Sequence, residues 1–107
     1  MAHFYVWETV DFPIHLTPKE ALQDYDHIIV SIGQGQVLIN KSDDELGIDV
    51  DEGLINIHLS QEETGKFVKG KAELQVNIYY TSTERDTSVK AKIDVKDNLY
   101  KEVMTDE

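Results

Sequence analysis

Polar and apolar residues alternate along two stretches in the second half of the chain. Ala72, Leu74, Val76, Ile78 and Tyr80 are apolar, with Glu73, Gln75 and Asn77 between them. Val89, Ala91, Ile93 and Val95 repeat the pattern around Lys90, Lys92, Asp94 and Lys96. A period of two marks a strand with one buried face. The pattern predicts two antiparallel strands joined by the wholly polar segment Thr81 to Ser88. Pairing Leu74 with Val95, Val76 with Ile93 and Glu73 with Lys96 keeps both apolar faces together. A slip of one residue would turn both faces outward, so the register is expected to be firm.

The same alternation appears earlier. Val10, Phe12, Ile14 and Leu16 are separated by Asp11, Pro13 and His15. Pro13 cannot donate to a ladder, which assigns this strand to a sheet edge or a bulge. Thr17-Pro18-Lys19-Glu20 offers a cap and a first-turn proline, predicting one helical turn up to Leu22 that Asp24 and Asp26 end. His27 to Ile32 reads as a buried strand, Gly33 to Gln36 as a turn, and Val37 to Asn40 as the return strand. Lys41 to Glu52 reads as an acidic connector. Ile55, Ile57 and Leu59 then point one way, Asn56 and His58 the other. Six or seven strands with frequent turn signals predict an all-β sandwich. We find no linker or internal repeat, and expect one domain over residues 1–107. Leu99 and Val103, and Tyr100 and Met104, lie four apart, so the tail from about residue 97 is expected to form a short helix or fray.

Between two of these strands lies Leu59-Ser60-Gln61-Glu62-Glu63-Thr64. A serine followed three residues later by a glutamate is a capping box, in which both side chains satisfy free backbone donors. Gly65 is expected to close that single turn in a left-handed conformation. Leu59 to Thr64, with Phe67, Gly70 and Gln75, resembles a pattern in small proteins of phages and prophages of Gram-positive bacteria. Val95 to Val103 resembles the close of such proteins. The resemblance extends over Leu54 to Val103 and reaches the immunoglobulin-like N-terminal domains of phage baseplate upper proteins. It implies an immunoglobulin-like sandwich and a virion structural role in the tail or baseplate region. It implies docking to other phage structural proteins, and no chemistry.

Composition narrows the function classes. A chain of 107 residues buries roughly two-thirds of its unfolded surface, enough for one core. No run of about 18 apolar residues is present, so no membrane span is expected. MAHFYVWETV lacks the basic start and apolar core of a secretory signal. Cysteine is absent, so packing alone holds the core, in keeping with assembly in a bacterial cytoplasm before release in a particle. The net charge is −11, from 21 acids against 10 bases. That opposes nucleic acid, which needs cations to displace phosphate counterions, and anionic membranes. It favours a solvated surface or a basic partner.

Several groupings that carry chemistry elsewhere have plainer explanations here. Asp43, Asp44, Glu45, Asp49, Asp51 and Glu52 crowd one segment, but lack the further oxygens of a calcium loop. Leu46, Ile48 and Val50 alternate with those acids as a half-solvated strand would. His3, His15, His27 and His58 have no zinc spacing. No nucleophile motif appears, and Gly33-Gln34-Gly35 lacks the third glycine and helix of a phosphate cradle. No catalytic residue, cofactor or metal is therefore assigned. The aromatics Phe4, Tyr5, Trp7 and Tyr79 are the candidates for a partner surface; the plainer reading has Trp7 and Tyr80 filling the core and Tyr79 packed flat over a lysine stem. The sequence points to a non-enzymatic docking protein, with an open edge strand suited to oligomerisation. The alternatives are a carbohydrate-binding module using an aromatic platform and a small hydrolase built on His15, His27 or His58.

Overall fold

The computed structural model describes residues 3–17, 19–80 and 86–97. Their strands are β1 (His3–Tyr5), β2 (Val10–His15), β3 (Tyr25–Gln34), β4 (Val37–Ser42), β5 (Leu46–Asp49), β6 (Leu54–Leu59), β7 (Gly70–Tyr80) and β8 (Asp86–Lys96). One α-helical turn, α1 (Gln61–Thr64), and 3₁₀ turns at Lys19–Leu22 and Asp43–Glu45 complete them. A five-stranded sheet of order β1-β8-β7-β3-β4 packs on a three-stranded sheet of order β2-β6-β5. The chain is an all-β sandwich with eight described strands, not six or seven. The additional strands are β1, only three residues long, and β5, which takes up part of the expected acidic connector.

Alternation becomes burial at most of the alternating positions, but Val89 and Ala91 of β8, expected on the buried face with Ile93 and Val95, are exposed. Ala72, Leu74, Val76 and Ile78 of β7, Ile28, Val30 and Ile32 of β3, and Ile55, Ile57 and Leu59 of β6 are buried in one cluster. Each buried valine, leucine or isoleucine among them contributes roughly 1.5–3 kcal/mol by leaving water. Pro13 sits opposite Asn56 on β2, an edge of the smaller sheet, where a missing N–H interrupts no central ladder. The β3–β4 hairpin turns through Gly35 and Gln36, with Gln34 opposite Val37.

The β7–β8 register differs from the expected one. Ala72 pairs with Ile93, Leu74 with Ala91, Val76 with Val89, and Glu73 with Lys92. The shift from the sequence-based pairing is four residues, an even number, so every side chain keeps its face. Periodicity fixes parity and nothing more; the hairpin extends further than expected, with Asp86 to Ser88 inside β8. β1 runs parallel to β8, His3 opposite Asp94, so the sheets are not wholly antiparallel. The tail beyond Asp97, read as a short helix or frayed end, lies outside the described residues, as do Pro18 and Thr81 to Arg85.

Candidate interaction surface

The segment Leu59 to Phe67 fastens the N-terminal turn to the sandwich. Leu59 ends β6 fully buried. Ser60 Oγ accepts from Glu63 N at 3.2 Å, and Glu63 Oε1 accepts from Ser60 N at 2.9 Å, closing the capping box. The other Glu63 oxygen meets Lys41 Nζ of β4 at 2.7 Å. Burial pushes the Glu63 carboxyl up, but Lys41 and the Ser60 donors outweigh it and hold the group below the ordinary value of 4.5. Gln61 Nε2 donates to Trp7 O at 3.3 Å. Thr64 is fully buried; its Oγ1 accepts from Glu8 N at 3.1 Å and donates to Glu8 O at 2.8 Å.

Gly65 is not a left-handed cap. Its φ is −68° and its ψ −13°, within the right-handed region. Glycine is required there by contact: an added Cβ would lie 2.5 Å from ring carbons of Trp7. The left-handed residue is Trp7 itself, with φ +64°, a conformation that costs a bulky residue on the order of 1–3 kcal/mol unless its surroundings hold it. The bonds from Gln61 and Thr64 hold that turn. Phe67 continues the clamp, packing edge-on against Phe4 with centroids 5.3 Å apart. Gly70, at φ +142°, then turns the chain into β7.

These contacts decide which aromatics are available. Phe4, expected on a partner surface, is 2% exposed and belongs to the core. Trp7 is half-buried, with Gly65 against its ring. Tyr5 is 39% exposed and stands edge-on to His3. Tyr79 lies flat over His27 at 4.4 Å. It is nine residues along β7 from Gly70, roughly 30 Å from Tyr5 and Trp7. Tyr80 turns inward and donates to Ala21 O at 2.8 Å. The structure therefore brings Tyr5 and Trp7 together and leaves Tyr79 at the other end.

Around Tyr5 and Trp7 the surface is concave. One hollow of about 440 Å³ is lined by Trp7, Val68, Lys69 and Asp97 among others. A second, of about 510 Å³, shares Lys69 and Asp97 and adds Tyr5, Lys71, Asp94 and Lys96. Two more follow across the outward face of β7 and β8, joined through Lys71, Glu73 and Lys92 and reaching Leu38 and Lys90. Together they form a furrow whose lining holds five lysines and three acids. Half of the ten basic residues thus line one strip of a strongly acidic chain. Leu38 (63% exposed) and Val68 (68%) stand along it. Gln34 braces it, its side-chain amide making hydrogen bonds of 2.7 and 2.8 Å with the Val68 backbone.

Two of the lysines are paired: Lys92 with Glu73 at 3.2 Å, and Lys71 with Asp94. The Lys71 hydrogen bond, opposed by desolvation and aided by the charges of Lys71, Lys96 and His3, keeps the Asp94 carboxyl below its usual range. Lys69 and Lys90 make no ion pair among the described residues. Sequence reasoning read Lys90, Lys92 and Lys96 as a solvated strand face; their union with Lys69 and Lys71 across two strands has no linear motif. The only early signal was the basic bias of alternate β8 positions.

The groupings considered for catalysis lie elsewhere. His58 meets Asp11 at 2.7 Å and His27 meets Asp26 at 3.2 Å, both on exposed surface. Among the described residues no three histidine or acidic side chains converge as a metal ion would require. In the acidic segment, Asp43 Oδ1 accepts from Ile28 N of β3 at 3.0 Å and Asp49 Oδ1 from Glu52 N at 3.2 Å, so one acid ties the segment to β3 and the other shapes the β5–β6 turn.

No family model and no curated protein matches the sequence. Solved structures share its fold. The N-terminal domain of phage TP901-1 ORF48 superposes with a TM-score of 0.63 at 11% identity, covering 90% of this chain and 84% of that domain. The endo-β-1,4-mannanase of Thermotoga petrophila matches with a TM-score of 0.54 at 11% identity over 91% of this chain. A candidate glycoside hydrolase from Bacteroides vulgatus ATCC 8482 gives 0.54 at 12% over 92%. The chain spans only 18% and 17% of those two proteins.

Proposed function

We propose that this protein is a non-enzymatic structural component of a phage or prophage particle, in its tail or baseplate region, that works by docking to other particle proteins. The observation that carries the reading is the likeness to the phage domain over 90% of this chain and 84% of that domain, in keeping with the resemblance of the Leu59–Gln75 pattern to small phage proteins. In this reading the immunoglobulin-like sandwich is a rigid frame, made in the host cytoplasm and later carried in the virion. The furrow beside Tyr5 and Trp7 is the docking face, with exposed apolar groups inside a polar rim.

The carbohydrate-binding alternative draws on the fold shared with the mannanase. The aromatic geometry disfavours it: Trp7 lies against Gly65 and Tyr5 stands edge-on to His3, so neither presents an open platform. The test is reconstitution of the protein with the particle proteins encoded beside it, followed by size-exclusion chromatography, with titration of cell-wall sugars against Trp7 fluorescence in parallel. Co-elution lost on Tyr5→Ala/Val68→Asp substitution supports docking. A saturable sugar response without co-elution overturns it.

A further inference from the structure

We propose that copies of this chain associate head to tail, the acidic end of one seated in the lysine-lined furrow of the next. This rests on the placement of charge and is independent of the phage reading.

β7 runs from Gly70, beside the furrow, to Tyr80 at the opposite end, roughly 30 Å away. At that far end Tyr80 bonds to Ala21 O of the first 3₁₀ turn, and Leu16 N bonds to Gly53 O of the β5–β6 turn at 2.9 Å. These contacts gather Glu20, Asp24, Asp26, Asp49, Asp51 and Glu52 around one end, each exposed. The furrow carries five lysines against three acids.

A net charge of −11 makes two copies repel in most orientations. At physiological salt the screening length is about 8 Å, so the charges near a contact decide its sign. Acidic end into furrow is the arrangement that sets opposite charges together. Among the described residues, three of the four exposed large apolar side chains, Tyr5, Leu38 and Val68, stand along the furrow. They supply the dry centre that lysines alone would lack. Because the two surfaces differ, the contact is heterologous and extends into rings or filaments.

Sedimentation velocity of the full chain over a wide concentration range tests this. Mass is expected to grow with concentration at about 0.15 M salt, and the association to weaken at least about tenfold at about 0.6 M. Two charge-reversed variants separate the faces: Lys69→Glu/Lys90→Glu/Lys96→Glu in the furrow, and Glu20→Lys/Asp51→Lys/Glu52→Lys at the far end. Each alone is expected to be monomeric. Their mixture is expected to regain association, since the wild-type acidic end of one variant fits the wild-type furrow of the other and the two reversed faces are again opposite in charge. Circular dichroism confirms folding, and glutamine replacements serve if a reversal unfolds. A wild-type chain that stays monomeric, association indifferent to salt, variants that assemble alone, or a mixture that stays monomeric overturns the proposal. So does a monomer whose furrow binds an acidic peptide instead.

Discussion

The clamp around α1 and the furrow across β7 and β8 are built by opposite means. In the clamp nearly every side chain is committed inward: Ser60 and Glu63 to each other's backbone, Thr64 to Glu8, Gln61 to Trp7, Phe67 to Phe4. In the furrow Lys69, Lys90, Leu38 and Val68 face solvent. The most recognisable stretch of sequence is therefore a fastening. The surface suited to binding is assembled from residues scattered between Tyr5 and Asp97. A short recognisable motif can report how a strand is tied to a turn, and say little about what the protein touches.

Substitutions in the clamp should cost stability, and those in the furrow should not. The largest loss is expected for Gly65→Ala, about 2–3 kcal/mol by urea denaturation, from forcing a methyl into the Trp7 ring. A left-handed cap would instead tolerate Asn at this position; here Asn should be worse than Ala. Thr64→Val keeps shape and removes the hydroxyl, leaving the Glu8 amide without its acceptor, at about 1–3 kcal/mol. Glu63→Gln should cost about 1 kcal/mol at neutral pH through the weakened Lys41 pair and cap. The sign follows from the lowered carboxyl. Folding favours the ionised form, so this contribution is complete above about 4.5 and drains away as pH falls through the folded value. Wild type and Glu63→Gln should converge in acid. Smallest of all, Lys69→Gln/Lys90→Gln/Lys96→Gln should alter stability by no more than about 0.5 kcal/mol, since these side chains are exposed.

Much of the sandwich was legible in the chain because burial on one face writes a period of two. Ala72 to Tyr80, Ile55 to Leu59 and the edge position of Pro13 follow from that period and from a missing N–H. The capping box was legible because its two residues interact three positions apart. What the sequence concealed depends on distant partners. The β7–β8 offset of four conserves parity, so alternation cannot sense it. β1 is too short to show a period, and its parallel pairing depends on β8, some ninety residues away. The right-handed Gly65, the left-handed Trp7 and the burial of Phe4 are three results of one contact set between residues 4–8 and 61–67. No local rule joins those two segments. The furrow was hidden for the same reason: its lysines share a face only once β7 and β8 are paired.

A double-mutant cycle between Trp7 and Gly65 tests the clamp most directly. Trp7→Ala, Gly65→Ala and the double variant are compared by urea denaturation. If the ring packs on the glycine, removing it makes room for the added methyl, and the loss in the double variant falls short of the sum of the two single losses by at least about 1 kcal/mol. Losses that add to within about 0.5 kcal/mol would show that the two residues do not meet, and the fastening of the N-terminal turn to α1 would be wrong.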